Sequence, residues 1–407
     1  MGNPKAFLNI PRQEAGYRPV NERIADYSQV EQTLNTNSRK LQASRCMDCG
    51  VPFCHWACPI GNKQPEWQDA LYRGKWKEAY EVLSSTCDFP EFTGRICPAL
   101  CEKSCVLKLS CDQPVTIREN EAAIVEAAFR EGYIQVKTPE RNGKKVAVIG
   151  SGPAGITVAI KLALAGYKVT IFEERSKIGG MLQYGIPEFR LSKSVIDRYK
   201  KKMEELGIRI RPNTVIGSAI VIDNLFRDGY SSVFVGTGVW RPKAIGIKGE
   251  SLGNVYFGID YLRRPEAHQL GEKVAVIGMG NVAMDVARTA LRHGAKEVTL
   301  YARGKRISAS SHEVSYTKLE GADFVFGKAI ESINEAGPMF KTSIFDENNK
   351  VIGYEEKLDQ VEADSVIICV SQAPKNKLVL TTDQLKTTEK GLLLTDENCM
   401  TTHEGVF

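Results

Sequence analysis

The chain reads as a mainly α N-terminal part followed by an α/β part. Two observations predict this division. Nine of the eleven cysteines lie between Cys46 and Cys111, in a stretch with helical but no strand-like periodicity. Beyond it, a pattern of buried strand, glycine turn, amphipathic helix and second strand occurs twice. At 407 residues the chain is too long for one hydrophobic core. Its 43% hydrophobic and 25% charged residues are the composition of an ordinary globular protein. No apolar run approaches the roughly 18 residues that cross a bilayer, so no membrane span is expected. The first residues lack the charged-then-apolar pattern of an export signal, and a cytoplasmic location is expected. A net charge of +5 with no basic block argues against nucleic acid as a partner.

In the first part, Pro65–Tyr72 and Trp76–Leu83 place apolar residues three and four apart, as on one helix face. Trp56, Trp67 and Trp76 are expected to pack inside this part. An odd number of cysteines, crowded together without an export signal, argues against disulfides and for metal or cluster binding. They fall into two groups, Cys46-x2-Cys49-x4-Cys54-x3-Cys58-Pro59 and Cys97-Pro98-x2-Cys101-x3-Cys105. In ferredoxin-like runs three cysteines wrap one cluster, and the cysteine before proline reaches the other. Cys46, Cys49 and Cys54 then share one cluster, and Cys58 joins Cys97 and Cys101 on a second. Seven cysteines are one short of the eight that two 4Fe-4S clusters take. Cys87 and Cys111 lie outside the spacing, so a non-cysteine ligand enters the reckoning. Structural zinc is the alternative for such thiols, but its usual paired CxxC spacing is absent. His55 suits a supporting or surface role.

A polar run, residues 137–143, links the two parts. The first repeat, residues 144–174, carries the turn Gly150-Ser151-Gly152-Pro153-Ala154-Gly155. Gly150 permits the tight turn, Gly152 the approach of a pyrophosphate, and Gly155 the packing of helix on strand. Glu173, 23 residues after Gly150, stands where a ribose diol would lie. The second repeat, residues 272–303, carries Gly278-Met279-Gly280-Asn281-Val282-Ala283. No carboxylate follows its second strand. Arg303 and Arg306 stand there instead, and guanidinium groups suit the 2′-phosphate of NADPH. The alternative is that they are solvated surface. Two dinucleotide sites are most simply a flavin beside a nicotinamide, between which hydride passes directly. The stretch from Gly179 to Pro187, with Gly180, Met181, Gly185 and Ile186, suits backbone lying against a flat ring, or a structural turn. Gly236-Thr237-Gly238, after another strand, brings backbone toward the first nucleotide. Residues 363–370 read as a further buried strand, with Cys369 a core residue within it.

The string from Arg45 to His55 (RCMDCGVPFCH), Gly94-Arg95-Ile96-Cys97-Pro98-Ala99, the first glycine turn and Tyr184-Gly185-Ile186-Pro187 resemble the small subunits of NADPH-dependent glutamate synthase. That family shares its module with dihydropyrimidine dehydrogenase and related FAD/NADPH/iron-sulfur oxidoreductases. The resemblance covers nearly the whole chain and implies two Rossmann-like dinucleotide-binding domains, the second inserted in the first. The implied domains are 1–140, a helical iron-sulfur domain; 141–260, the first part of an FAD-binding domain; 261–375, an NADPH-binding domain; and 376–407, a return to the FAD domain. The resemblance also implies that Cys105 joins Cys46, Cys49 and Cys54, and that Glu121 joins Cys58, Cys97 and Cys101. The implied activity carries hydride from NADPH to FAD and single electrons through two 4Fe-4S clusters to a large (alpha) subunit. That subunit makes glutamate from glutamine and 2-oxoglutarate. The alternative is a sister oxidoreductase serving ferredoxin, sulfide or a dihydropyrimidine. No side chain is assigned to catalysis, because the cofactors carry the chemistry. The family continues past residue 407 into a Gly-Asp turn and a helix, so the resemblance also implies a flavin domain cut short, with FAD weakly held.

Overall fold

The structure, a computed structural model, describes residues 5–407. The chain forms two compact units: one of residues up to Pro19, Ser28–Lys137 and Glu188–Val195, the other of Val20–Tyr27, Thr138–Pro187 and Ile196–Phe407.

After a single turn, α1 (Val20–Arg23), come the helices of the first unit: α2 (Thr36–Ser44), α3 (Phe53–Ala57), α4 (Gln64–Tyr72), α5 (Trp76–Ser84), α6 (Pro90–Ile96), α7 (Leu100–Lys103), α8 (Val106–Cys111) and α9 (Ile117–Arg130). Asn35 caps α2, its side chain accepting from the Ser38 N–H at 2.9 Å. Trp67, Ala70 and Leu71 of α4 and Ala79 and Leu83 of α5 meet Leu107, Ile117 and Ile124 in one core. That is the helical spacing expected of α4 and α5. Cys46, Cys54, Cys101 and Cys105 pack on the same core. Helix α6 lies very close to α9, because a Cβ at Gly94 would stand 2.8 Å from the Ala122 nitrogen. This close crossing brings the Cys97 end of α6 beside Glu121. The tryptophans do not all behave as expected. Trp67 is fully buried and Trp76 half-buried, but Trp56 is 71% exposed. Helix α3 is only five residues long and turns that side chain away from the core.

The second unit starts with β1 (Lys145–Ile149), α10 (Pro153–Leu164), β2 (Lys168–Phe172), α11 (Met181–Tyr184), α12 (Lys193–Glu205, whose start belongs to the first unit), β3 (Arg209–Arg211), α13 (Ile222–Arg227) and β4 (Tyr230–Val235). Its strands form a parallel sheet in the order β3-β2-β1-β4. The chain then leaves through β5 (Arg241–Pro242) and builds a second sheet with β6 (Val255–Phe257), α14 (Gly258–Arg263), β7 (Lys273–Ile277), α15 (Asn281–Arg292), β8 (Glu297–Ala302), α16 (Ser311–Leu319) and β9 (Asp323–Phe326). An antiparallel sheet of β10 (Lys328–Asn334), β11 (Gly337–Phe345) and β12 (Val351–Gln360) follows, before β13 (Ser365–Ile368) completes the second parallel sheet in the order β6-β13-β7-β8-β9. The chain returns through β14 (Gln372–Ala373), antiparallel to β5, and α17 (Lys377–Leu380). The final residues pair beside β4, with the Val233 N–H donating to Gly405 O at 2.9 Å and Phe407 N–H to Val233 O at 2.8 Å. The second nucleotide fold is thus inserted in the first, the expected α/β arrangement. Strand β13 stops one residue short of Cys369, which is half-buried, not a strand residue, with its side chain against the second core.

Behind the second sheet, Glu320 is completely buried, accepting from Arg288 at 2.9 Å and Arg292 at 2.7 Å and ion-paired with the Arg23 guanidinium at 3.0 Å. These guanidinium donors hold its carboxyl below the usual carboxylate range despite burial. Breaking such a buried pair leaves a charge uncompensated. Glu320→Gln is expected to destabilise the second unit by about 3 kcal/mol in chemical unfolding. The parent should also lose this contribution progressively as pH falls from about 4.3, the ordinary glutamate value, through the lower range where the folded carboxylate takes up its proton.

Candidate functional site

The first glycine turn is braced by its own serine. Ser151, fully buried, donates its N–H and hydroxyl to Glu173 Oε2 at 2.9 and 2.5 Å, and the Arg175 N–H donates to Glu173 Oε1 at 2.9 Å. The Gly179 N–H donates to Ser151 O at 2.9 Å. These bonds tie the turn to the end of β2 and to the Gly179–Gly180 loop. Above them lies a cavity of about 510 Å³, lined by Gly150, Ser151, Gly152, Pro153, Ala154, Glu173, Gly180, Met181, Gly236, Thr237 and Gly238. Gly155 lies beneath the turn, and Gly185 and Ile186 bond back to Met181 O instead of lining the wall. The wall also contains residues that the sequence does not announce. The Arg175 guanidinium sits 3.7 Å from the centre of the Trp240 ring and 4.7 Å from that of Tyr184. Lys375, from the returning segment, pairs with Glu174 at 2.8 Å. Glu173 retains acceptor capacity, since a carboxylate has about four lone-pair directions. Helix α10 opens at Gly152 with Pro153 in its first turn, so its free N–H groups face the cavity floor. The cradle fits a dinucleotide such as FAD.

The second turn opens on a wider cavity of about 1330 Å³, whose walls include Gly278, Met279, Arg303, Lys305, Arg306 and Lys350. Gly280 precedes the first turn of α15, where Asn281 Oδ1 accepts from the Ser310 N–H at 3.0 Å and Ala283 is buried. Val282 is half-buried beside them. Lys305 donates to Asn349 at 2.8 Å, drawing the β11–β12 turn toward the arginines. Glu331, on the same wall, is paired with Lys341 at 2.8 Å. Arg303 and Arg306 thus share a cation-rich wall suited to a phosphate.

In the first unit, Cys46, Cys49, Cys54 and Cys105 line one narrow cavity with Val106, Leu107 and Ile117. Burial pushes the Cys46 and Cys54 thiols up to about 12, and the neighbouring sulfurs add to this. A second set lies apart from it. Burial raises the Cys97 and Cys101 thiols, and Glu121 and Cys58 raise both further. Each cysteine loop aims an amide at its leading sulfur: that of Asp48 at Cys46, that of Ala99 at Cys97. Asp48 and Ala99 take φ of +51° and +52°, left-handed values costly for residues with a Cβ. Glu121 is buried on α9, accepting from Thr93 Oγ1 and lying 3.9 Å from Cys87 Sγ. Burial pushes its carboxyl up to about 7. Cys111, by contrast, is exposed and bonds to Leu107 O. Among the described residues no three His, Cys, Asp or Glu side chains converge as ligands of one ion. Sulfurs set around a cavity instead fit a multi-iron cluster, whose positive charge would draw the protons from the buried thiols.

Residues 144–407 match the pyridine nucleotide-disulphide oxidoreductase family, and residues 23–133 match the family described as dihydropyrimidine dehydrogenase domain II, 4Fe-4S cluster. The chain is 34% identical over 442 aligned residues to the glutamate synthase (NADPH) small chain of Mycobacterium tuberculosis, covering 100% of this chain and 90% of that one. The chain belongs to the glutamate synthase small-chain family. In the glutamate synthase (NADH) of Schizosaccharomyces pombe, a match of 37% identity over 312 residues spans 72% of this small chain but only 15% of that polypeptide. Among solved structures, 2-naphthoyl-CoA reductase shares the fold, with a TM-score of 0.53 at 21% identity over 79% of this chain and 48% of that one. The family matches make the chain an oxidoreductase of the pyridine-nucleotide type with a 4Fe-4S domain. No helix among the described residues is long and apolar enough to cross a membrane.

Proposed function

We propose that this chain is the electron-input subunit of glutamate synthase, taking electrons from NADPH and delivering them to a larger subunit that makes glutamate. The observation that supports this reading is that one chain combines two glycine-turn cavities with seven half-buried, unpaired cysteines, four of them lining one narrow cavity. When bound, FAD would supply hydride acceptance from NADPH, and two 4Fe-4S clusters would supply single-electron relay. The chain's own residues hold and shield these groups. Gly150 to Gly155 and Glu173 would hold the FAD pyrophosphate and ribose, with Gly180, Met181 and Gly236 to Gly238 around the rest, while Gly185 and Ile186 would only support Met181 from behind the wall. Gly278 to Ala283 would hold the NADPH pyrophosphate. Cys46, Cys49, Cys54 and Cys105 would hold one cluster, and Cys58, Cys97, Cys101 and Glu121 the other. The Schizosaccharomyces pombe relative supports a large partner, because there the matching segment is a small part of one long polypeptide. The test is an anaerobic assay with NADPH, glutamine and 2-oxoglutarate. Glutamate formation that needs both polypeptides supports the proposal. NADPH-driven ferredoxin reduction, with no glutamate from the pair, overturns it.

NADPH preference rests on Arg303 and Arg306, which can pair with the 2′-phosphate. Replacing both with alanine should raise KM for NADPH by about 100-fold or more, the loss of charge-assisted hydrogen bonds at roughly 1.5–3 kcal/mol each. Steady-state kinetics with NADH, which lacks that phosphate, should change little. Equal losses for both nucleotides would show that the arginines support the fold and not the phosphate.

A further inference from the structure

We infer that the exposed apolar side chains of the cysteine loops form the face on which the large glutamate synthase subunit docks to collect electrons. This rests on the proposed function, and it names a surface that the function alone does not locate. Trp56 is the departure that reveals it: a tryptophan in a small helical core is expected inside, and this one faces solvent. Val51, Phe53, Ile60 and Leu100 are exposed as well. Single exposed apolar residues are ordinary, but a group of them is the mark of an interaction site.

Phe53, Trp56 and Leu100 belong together in space, and Val51 and Ile60 flank them in sequence. Phe53 and Trp56 are three apart on α3 and share its face. Helix α3 packs against α7, whose first residue is Leu100, and Ser104 Oγ donates to Phe53 O at 3.2 Å across that contact. The same residues flank the sulfurs. Phe53 adjoins Cys54 and Leu100 adjoins Cys101, while Val51, Trp56 and Ile60 lie within two positions of Cys49, Cys54 or Cys58. Electron transfer weakens steeply with distance, so an acceptor must seat against the loops that carry the clusters and exclude water there. Aromatic anchors at the centre of a protein interface do both. The occupant follows from the Schizosaccharomyces pombe relative. There the equivalent segment is tethered to the rest of glutamate synthase, whereas a separate chain must hold that partner by a surface of its own.

The experiment measures binding of the cofactor-loaded chain to the purified large subunit, comparing the parent with Trp56→Lys, Ile60→Lys and, as a control, Leu109→Lys. Leu109 is equally exposed but lies on α8, four positions past Cys105 and outside the two cysteine loops. Each variant is first checked for parental iron content, visible spectrum and NADPH-driven dye reduction. Trp56→Lys and Ile60→Lys should each weaken binding by about tenfold or more, and glutamate formation with it, while Leu109→Lys binds as the parent does. Binding within about twofold of the parent for both loop variants overturns the inference, as does an equal loss in the control. So does a loss confined to self-association of this chain, which would make the face a contact between copies. A parent that does not bind the large subunit at all would instead sink the proposed function.

Discussion

Gly155→Ala is expected to strip the flavin from this chain while leaving the cluster unit folded. A Cβ at position 155 would lie 2.0 Å from Gly150 O and 3.3 Å from Val148 Cγ1. Neither neighbour can withdraw. Gly150 is fixed by its N–H bond to Phe172 O at 2.8 Å, and Val148 is fully buried in β1. Helix α10 must therefore move off the sheet, which takes its N-terminal N–H groups away from the pyrophosphate position. Purified Gly155→Ala should hold roughly a tenth or less of the parent's flavin, with NADPH-driven dye reduction falling in proportion. Gly152→Ala separates packing from ligand approach. A Cβ there meets nothing within 4 Å, so the fold accepts it. Its melting temperature without flavin should match the parent's, while flavin affinity falls, because only the ligand's backbone contact needs that space. Parental flavin content in Gly155→Ala would show that the turn does not bind FAD as proposed.

The glycine turns were legible because their geometry is local: strand end, turn and helix start lie within about ten residues, each with its own steric demand. Helices α4 and α5 of the first unit were equally legible, since a 3.6-residue period records which face is buried. The residues that escaped are joined over long separations. Arg175 meets Trp240 only after β1 and β4 have paired, and Lys375 reaches Glu174 only when the chain returns through β14. The antiparallel sheet β10-β11-β12 is half-exposed, and its exposed Ile344, Ile352 and Leu358 blur the alternation that marks a strand. Trp56 misled because burial depends on which way a five-residue helix is turned, and composition carries no record of that. Spacing alone placed Cys46, Cys49 and Cys54 together. Cys105 lines their cavity because α8 starts there and folds Val106 and Leu107 against the same core.

Glu121→Ala should cost this chain one of its two proposed clusters. The side chain is buried on α9 where that helix crosses α6, and its charge reaches Cys97 and Cys101. Without iron, burial holds the carboxyl up at about 7, far above an unfolded glutamate. The folded iron-free chain therefore keeps a proton that the unfolded chain gives up, and it loses stability as pH rises from about 4.3 toward neutrality. Cationic iron at the carboxylate would remove that penalty, as would the neutral amide of glutamine, whose carbonyl oxygen can still face the metal. Glu121→Ala should lose roughly half the parent's iron and acid-labile sulfide, with one set of cluster signals absent from its electron paramagnetic resonance spectrum. Glu121→Gln should retain the iron with a shifted reduction potential. The structure also names the group that would take over if this assignment is wrong. Cys87, buried and 3.9 Å from Glu121 Oε1, is the nearest unassigned thiol, while Cys111 is exposed on α8. Full iron in Glu121→Ala, lost only when Cys87→Ala is added, would transfer the ligand role from the carboxylate to that thiol.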